Sequence, residues 1–309
     1  MTMIRSRFAL LVFVVAHFFV SVAFAGDGSE RADTWRVMSF NIRYGTADDG
    51  PDRWEVRASR VVAMIERHAP DVVGLQEPQA FQVAELLAGM SRYAAAGAHR
   101  LDGRSGGEGC VTLYDRTRFM VAEGGVFWLS DTPFVPGSIS WDNAWPRSCT
   151  WTRLIEIETG RGLYVYNVHL DNRGSDSRER GAAQIREHFE RTAAREHAQD
   201  PVIVMGDFNT APESEPIETL LGSASDLPLV DTYRALHDTE PAGTYTAFDV
   251  KSDGGKTRMD LLLASADLAV LRSGIDRSTI DGRYPSDHFP VWADLRASEP
   301  PPEAARPNQ

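Results

Sequence analysis

The chain has 309 residues, 25% of them charged, and its formal net charge is -12 at pH 7. This composition is typical of a globular protein and excludes fibrous and intrinsically disordered chains. The acidic balance argues against tight, non-specific wrapping of nucleic acid, but it is compatible with an enzyme that contacts a few phosphates through a metal.

The first 25 residues predict a secretory signal peptide. Arg5 and Arg7 precede an apolar run at 8–20, and the small-residue sequence Ala23-Phe24-Ala25 follows it. A membrane anchor is the alternative, but the run is short for a helix that spans a bilayer. We therefore expect a signal peptide at 1–25, a short leader at 26–32, a periplasmic or secreted location, and no stable membrane span after cleavage.

The rest of the chain alternates irregularly between strand and helix patterns. Segments rich in β-branched and aromatic residues predict strands at 35–40, 71–76, 110–115, 125–130, 149–158, 163–170, 201–206, 258–264 and 289–295. Amphipathic spacing predicts helices at 53–68, 176–198 and 214–222, and Pro78 is placed like the first residue of another helix. We expect a mixed sheet, or a pair of sheets, flanked by helices.

Residues 33–296 contain no internal repeat or linker, so we expect a single domain there. The stretch at 129–145 predicts a long surface loop, of the kind that often borders a site. The Pro-rich end at 297–309 predicts a disordered tail. The two cysteines, Cys110 and Cys149, are compatible with a disulfide in an exported protein or with two buried thiols.

Polar side chains recur at the ends of the predicted strands. The sequence VIVMGDFNT runs from four apolar residues to Asp207 and Asn209, which would point the same way if the strand continued past both. The same pattern adds Asn41, Glu77, His169, Asp260, Asp287 and His288. A turn would explain Asn41 alone, but a carboxylate among Met and Leu, as at Asp260, needs a partner.

Together these residues indicate hydrolysis of a phosphate ester. Carboxylate and amide oxygens are the ligands that Mg²⁺ and Mn²⁺ prefer, and histidines with acids available suit proton transfer. The sequence has no cysteine cluster or H-E-x-x-H spacing for zinc and no G-x-S-x-G for a serine nucleophile. The set therefore favours attack by water assisted by a metal.

The motifs resemble those of the endonuclease/exonuclease/phosphatase superfamily and occur in the same order. They are SFNIRYG (39–45), LQEP (75–78), NVHLD (167–171), GDFN (206–209), RMD (258–260) and SDHFPV (286–291). The phrases FWLSDTP and PGSISWDNAWPR are similar to a bacterial secreted subgroup of poorly defined substrate. The resemblance implies an α/β fold, a four-layered sandwich of two packed mixed β-sheets flanked by helices.

The resemblance also implies roles for individual residues. It implies a metal set, for Mg²⁺ or Mn²⁺, of Asn41, Glu77 and Asp287. It implies a catalytic group of Glu108, His169, Asp207, Asn209, Asp260 and His288. In this group Asp207 and Asn209 orient or deprotonate the water and hold the phosphate, and an acid pairs with each imidazole and holds it protonated. Those acids are Glu108 for His169 and Asp260 for His288. Further candidates to contact the substrate phosphate are Arg147, Arg178 and Tyr114.

We therefore predict an exported, monomeric, divalent-metal-dependent phosphoesterase, and more specifically a phosphodiesterase or nuclease. A phosphatase, or a phosphodiesterase of lipid or sugar head groups, is the alternative within the same chemistry. A non-catalytic module that binds phosphorylated ligands is the alternative of another class. The tryptophans Trp128, Trp141 and Trp145 stack equally well on bases and sugar rings, or pack beneath the loop, so they do not identify the substrate.

Overall fold

In a computed structural model, the described part of the protein comprises residues 33–193, 200–237 and 242–297. The predicted signal peptide and leader, and the predicted tail beyond Ala297, lie outside these residues. None of the helices in the described part has both the length and the apolar character needed to span a bilayer.

Twelve strands form two six-stranded sheets in the described residues. Their bounds are β1 Thr34–Asn41, β2 Val72–Gln76, β3 Tyr93–His99, β4 Gly109–Asp115, β5 Phe119–Trp128, β6 Ser148–Glu156, β7 Gly162–His169, β8 Val202–Asp207, β9 Leu229–Asp231, β10 Asp260–Ser265, β11 Leu268–Ile275 and β12 Val291–Ala297. Sheet one has the order β11-β12-β1-β2-β4-β3, and sheet two has the order β5-β6-β7-β8-β10-β9. Both sheets are mixed, because each contains one parallel pair, β1–β2 and β7–β8, among antiparallel ones.

Four α-helices and a short 3₁₀ turn, Gly50–Asp52, lie between strands of the described part. The helices are α1 Trp54–His68, α2 Ala80–Gly89, α3 Ser175–Ala193 and α4 Glu215–Leu221. Helix α2 begins after Gln79, whose side chain forms a capping box with Gln82. The prediction that Pro78 is the first helical residue was therefore wrong, because the glutamine cap places the helix start beyond it.

Three apolar clusters separate four layers of secondary structure. Between the sheets, inward side chains such as Val37 and Ile203 form one buried cluster. Val61 of α1 joins a second cluster on the outer face of sheet one, and Ile185 of α3 joins a third on sheet two. Covering both faces of each sheet removes its apolar side chains from water. The predicted four-layered sandwich of two mixed sheets flanked by helices is confirmed.

The register of the strands brings their polar ends to one edge of the sandwich. Because β1 and β2 are parallel, Asn41 and Gln76 lie side by side at the ends of their strands, next to the start of antiparallel β12. In sheet two, Asp207 of β8 lies opposite His169 of β7 on one side and Asp260 of β10 on the other. Directly opposed residues share a face of the sheet, so these three side chains meet.

Three of the strands, β3, β9 and β11, were not predicted from the sequence. Strand β3, YAAAGAH, consists mainly of small residues with low strand propensity and is held by its pairing with β4. Strand β9 has 3 residues, and β11 is an edge strand interrupted by a shift of register against β12. In all three, pairing in the folded chain outweighs the weak local pattern.

Cys110 and Cys149 are both free and buried. Burial raises the pKa of Cys110 to about 12 and that of Cys149 well above its usual value, so both remain thiols at neutral pH. The sequence left a disulfide and two buried thiols as alternatives, and the structure contains the two buried thiols.

Candidate active site

Asp207 ends strand β8 and lies at the centre of the candidate site. It shares the inner face of sheet two with Ile203 and Met205, because side chains alternate along the strand. At Gly206 a Cβ atom would collide with the backbone carbonyl of Val168, so the close approach of β7 and β8 requires a glycine. Strand pairing, rather than a loop, therefore positions the carboxylate.

Three polar side chains surround the Asp207 carboxylate. Its Oδ2 atom accepts a hydrogen bond from Asn41 Nδ2 at 3.0 Å, and it lies 3.5 Å from His169 Nε2 and 3.8 Å from His288 Nε2. The hydrogen bond from Asn41 joins sheet one to sheet two. Burial, reinforced by the negative charge of Asp260, raises the pKa of Asp207 to about 7. The carboxylate is therefore suited to accept a proton near neutral pH.

His288 is held by a buried carboxylate. Its Nδ1 atom lies 2.8 Å from Asp260 Oδ2, and the ring of Tyr245 packs edge-on against it. Burial lowers the pKa of His288, but the carboxylates of Asp260 and Asp207 outweigh burial and raise the pKa well above its usual value. The geometry therefore favours a protonated imidazole at neutral pH.

His169 has a different environment. Its ring and carboxylate oxygens of Glu77 and Glu108 lie within 4.8 Å of one another, but Glu108 accepts a hydrogen bond from Arg100 at 2.6 Å. Burial, followed by the positive charges of Arg147 and Arg100, lowers the pKa of His169 well below its usual value. The neighbouring guanidinium groups favour the neutral ring, and the pairing of Glu108 with His169 stays a prediction.

Asn209 does not continue strand β8. Its φ of 50° is left-handed, so the extended backbone ends at Asp207. The Asn209 N–H donates to Asp207 Oδ1 at 2.9 Å, and Asn209 Nδ2 donates to the Leu170 carbonyl at 3.0 Å. The expectation of two side chains aligned along one strand was wrong, although both residues line the same cleft.

The side chains predicted to bind metal lie together. Asn41 Nδ2 donates to Glu77 Oε1 at 3.1 Å, and the Tyr44 N–H donates to Glu77 Oε2 at 3.1 Å. Glu77 itself has a left-handed φ of 67°, a strain that non-glycine residues often carry at functional sites. Burial raises the pKa of Asp287. The positive charge of His288 opposes this shift, and the negative charge of Glu77 adds to it. The set thus concentrates negative charge at one place.

Arg147, one of the three predicted phosphate contacts, lines the cleft. It is 3% exposed, and its Nε atom donates to Asp171 Oδ2 at 3.2 Å. Arg178 instead donates to the Asp171 backbone carbonyl, and Tyr114 lies opposite Val72, against the core between the sheets. The structure corrects the predictions for Arg178 and Tyr114: a local backbone contact holds the first, and the second lies toward the other end of β4.

The cleft formed by these residues has a volume of about 670 Å³. Its lining adds Arg43, Arg100, Asn172, Trp145 and Tyr245 to the residues described above. Of the three tryptophans singled out in the sequence, Trp145 is 57% exposed in the cleft. Trp128 is buried and donates to the Arg100 carbonyl, and Trp141 donates to Asp131.

Residues 38–288 of the chain match the Endonuclease/Exonuclease/phosphatase family. The chain belongs to this family. The matched span includes the whole metal set and the whole catalytic group. The protein is accordingly a hydrolase of phosphate esters, as its sequence motifs predicted.

Proteins similar to this family member include two from Bacteroides thetaiotaomicron. One, an endonuclease/exonuclease/phosphatase family protein, is 29% identical with a TM-score of 0.78, over 86% of this chain and 99% of that one. The other, a mannosyl-6-phosphatase, is 30% identical with a TM-score of 0.76, over 84% of this chain and 99% of that one. Nocturnin of Xenopus laevis is 24% identical over 306 residues, which cover 89% of this chain and 76% of nocturnin.

Divalent metals are typical of the family, and the residues present fit one. Glu77 and Asp287 line the cleft with carboxylate oxygens, and Asn41 has an amide oxygen that accepts from the Arg43 N–H; oxygen atoms are the ligands of hard cations. A bound cation would relieve the repulsion between carboxylates that contributes to the raised pKa values of Asp207 and Asp287. Within the described residues, the buried Asp260 Oδ1 atom also has no hydrogen-bond partner, which leaves an acceptor free at the site.

Asp171 organises the cleft but was not singled out in the sequence. Its Oδ2 atom accepts hydrogen bonds from Arg147 Nε at 3.2 Å and the Ala144 N–H at 3.1 Å, and its Oδ1 atom accepts from the N–H groups of Arg173 and Gly174. Burial raises the pKa of Asp171, but these backbone hydrogen bonds and Arg147 outweigh it and lower the pKa. The available signal was an acid directly after the apolar β7 strand, within NVHLD.

Proposed function

We propose that the protein is an exported phosphoesterase that uses a divalent metal ion and attacks phosphorus directly with water. The observation that carries this proposal is the set of contacts around Asp207. Its carboxylate lies 3.5 and 3.8 Å from two histidine ring nitrogens and accepts a hydrogen bond from Asn41. This arrangement suits activation of water, whereas the cysteines are buried thiols and provide no nucleophile.

Each group around the phosphate has a separate task. Asp207, with a pKa of about 7, orients the water and accepts its proton. His288, which is protonated and held by Asp260, donates to a phosphate oxygen and stabilises the charge that develops there. His169, which is neutral, hydrogen-bonds the phosphate, and Asn209 fixes the orientation of Asp207 through its backbone N–H.

Asn41, Glu77 and Asp287 hold Mg²⁺ in this proposal, and Mn²⁺ can replace it. A bound divalent ion neutralises phosphate charge and lowers the pKa of water. The choice of Mg²⁺ over zinc rests on the oxygen-only donor set.

The proposed substrate is a small phosphate ester. A volume of about 670 Å³ falls within the range of roughly 300–1,000 Å³ that is common for small-molecule sites. The net charge of -12 disfavours a long polyanion. The similarity to a mannosyl-6-phosphatase supports the same class. This reverses the order predicted from the sequence, in which a phosphodiesterase or nuclease came first.

A nucleic-acid phosphodiester is the second candidate. Trp145 and Tyr245 line the cleft and are 57% and 44% exposed, and aromatic rings at such positions stack on bases. A short single-stranded segment would suit this cleft better than a duplex, because the acidic chain offers little to a long backbone.

Metal removal tests the enzymatic proposal against the non-catalytic alternative. We expect the chain without its predicted signal peptide to release phosphate from a panel of small phosphate esters with Mg²⁺ or Mn²⁺. Chelator should abolish this release, and added Mg²⁺ should restore it. Asp207→Asn should remain inactive under all conditions, while Asp281→Asn, at an exposed position outside the cleft lining, serves as the matched control. Absence of turnover by the unmodified chain with either metal would favour a silent binding module.

Export and the monomeric state are separate parts of the proposal. Expression of the full chain with fractionation should give a periplasmic or secreted protein whose intact mass begins at Gly26. Light scattering of that product should give the mass of one chain. A product retained in the membrane at full mass would contradict cleavage.

A further inference from the structure

Beside His169 the cleft contains a polar subsite whose charges are already balanced. Arg100 pairs with Glu108 at 2.6 Å, and Arg147 pairs with Asp171 at 3.2 Å. These side chains are between 0% and 19% exposed, so each ion pair is largely protected from water. Two guanidinium and two carboxylate groups carry no net charge. A second phosphate group would therefore gain little attraction there.

The subsite nevertheless keeps free hydrogen-bonding capacity. Arg147 Nη1 is buried without a hydrogen-bond partner among the residues that the structure describes. Arg147 lines the cleft and also a small side cavity that it shares with His169. Its Nη2 atom donates to Asn172 Oδ1 at 3.2 Å. Guanidinium, carboxylate and amide groups at one place supply both donors and acceptors, as neighbouring hydroxyl groups require.

An exposed indole lines the same cleft as these groups. Trp145 is 57% exposed and lines the cleft, and Asp171 anchors the chain on both sides of it through Ala144 and Arg147. Phe134, in the same loop, is 80% exposed but does not line the cleft. A firmly anchored indole beside balanced polar groups suits a ring that has one apolar face and several hydroxyl groups.

We propose that this subsite binds the ring of a monosaccharide whose phosphate lies at Asp207. The subsite consists of Arg100, Glu108, Arg147, Asn172 and Trp145. The ring stacks on Trp145, and its hydroxyl groups bind the exposed Asn172 and the Arg100–Glu108 pair, while Arg147 positions Asn172 through its Nη2 atom. This inference rests on the proposed phosphoesterase function and names its substrate class as sugar phosphates.

Three primary alkyl phosphates separate the contributions to recognition. A hexose 6-phosphate has a ring with hydroxyl groups, cyclohexylmethyl phosphate has a ring without them, and propyl phosphate has neither. All three release an alcohol of the same type, so release of inorganic phosphate with Mg²⁺ compares binding rather than leaving-group chemistry. We expect kcat/KM to fall in the order given. A dinucleotide represents the nucleic-acid alternative, and chromatography follows its cleavage, because a phosphodiester gives a nucleotide rather than inorganic phosphate.

Two variants test which residues cause the preference for the ring and for its hydroxyl groups. Trp145→Ala should lower the preference for both ring compounds over propyl phosphate by about 3- to 10-fold. Arg147→Lys should lower the preference for the hexose over the cyclohexyl compound by roughly 10- to 100-fold, because Asn172 loses the buried guanidinium that positions it for the hydroxyl groups. Phe134→Ala, the matched control, should leave both ratios unchanged. Trp145 is exposed, so its variant remains informative even if thermal melting shows that Arg147→Lys does not fold.

The outcomes distinguish this inference from the function on which it rests. Equal kcat/KM values for hexose and propyl phosphates would contradict the sugar subsite and leave the phosphoesterase in place. A dinucleotide cleaved in preference to all three compounds would contradict it as well. Absence of both phosphate release from the three alkyl phosphates and cleavage of the dinucleotide, with Mg²⁺ or Mn²⁺, would contradict the proposed function itself.

Discussion

The two histidines of the cleft both lie near Asp207 Oδ2 but differ in their surroundings. His288 is 2.8 Å from the buried carboxylate of Asp260, and nearby negative charges raise its pKa. His169 lies near Arg147, and burial with nearby positive charges lowers its pKa. The same side chain thus has opposite protonation preferences within one cleft.

In the proposed mechanism, this difference gives the two rings different tasks on the phosphate. A cation at His288 stabilises negative charge, and a neutral ring at His169 donates or accepts a hydrogen bond without adding charge. Sequence motifs alone treat the two histidines as equivalent, because each has an acid available along the chain. In the folded protein the two histidines have different neighbouring side chains, and these give them different protonation preferences.

Removal of the Asp260 carboxylate should have the largest effect. Asp260→Asn removes from His288 both its hydrogen-bonded carboxylate and the largest of the negative charges that hold its proton, so we expect kcat to fall by about 10²–10⁴-fold. Steady-state phosphate release measures the fall, and Asp281→Asn serves as an exposed control. A variant with kcat near that of the unmodified chain would show that His288 does not depend on its carboxylate, which would break the comparison.

The pH dependence sharpens the comparison. Activity should rise as Asp207 loses its proton, at a pH that a bound cation moves below the value of about 7 that burial and Asp260 set, and should fall at higher pH as His288 loses the proton that its raised pKa retains. In Asp260→Asn the alkaline fall should move to lower pH, because the carboxylate that raises the pKa is gone. Profiles of kcat from pH 5 to 10 would measure the shift. An unmoved alkaline limb would assign it to another group.

Glu108→Gln should have a smaller effect than Asp260→Asn. Glu108 bonds to Arg100 rather than to a histidine, so its loss perturbs His169 indirectly, and we expect kcat to fall by about tenfold or less. The two variants are compared in parallel by phosphate release. Equal losses of kcat in both variants would mean that His169 depends on Glu108 as strongly as His288 depends on Asp260.

The smallest effect on activity is expected at a third histidine–carboxylate pair, His68 and Asp276, which are 2.7 Å apart outside the cleft lining. Burial raises the pKa of Asp276, but hydrogen bonds from His68 and Ser278 outweigh it and lower the pKa. Because folding lowers this pKa, the ionised Asp276 carboxylate stabilises the fold at pH values above its ordinary pKa of about 3.9. That stabilisation is lost as the pH falls through the pKa of the folded state.

Asp276→Asn should therefore lower the free energy of unfolding by about 1–2 kcal/mol at pH 7 and leave kcat unchanged. Urea unfolding at pH 7 and pH 3 measures the difference, which should shrink at the lower pH. A loss of activity without a loss of stability would connect this pair to the cleft.

Most of the fold could be predicted from the sequence, because most strands and helices have recognisable local sequence patterns. Segments such as the β8 strand before Asp207 are apolar on both faces and are recognisable alone. Strand β3, rich in alanine, has no such pattern and depends on β4. Edge strand β11 depends in the same way on β12.

The candidate site could be predicted only in part from the sequence. Alternation and strand ends identify which residues can meet, as with Asp207 and Asp260, which the register places opposite each other. They do not give the left-handed turn at Asn209, nor the preference of Glu108 for Arg100. Asp171 was missed because its partners are the Arg147 side chain and backbone N–H groups of loops, which the sequence does not bring together. Such choices depend on loop geometry rather than on periodicity.

The hydrogen bond between Asn41 and Asp207 has a consequence for the timing of activity. Asn41 ends a strand of sheet one and Asp207 ends a strand of sheet two, so neither sheet contains a complete site. Hydrolysis can begin only once the two sheets have docked. Under the proposed export, a chain that is still unfolded during transport is harmless to the phosphate esters of the cell that makes it.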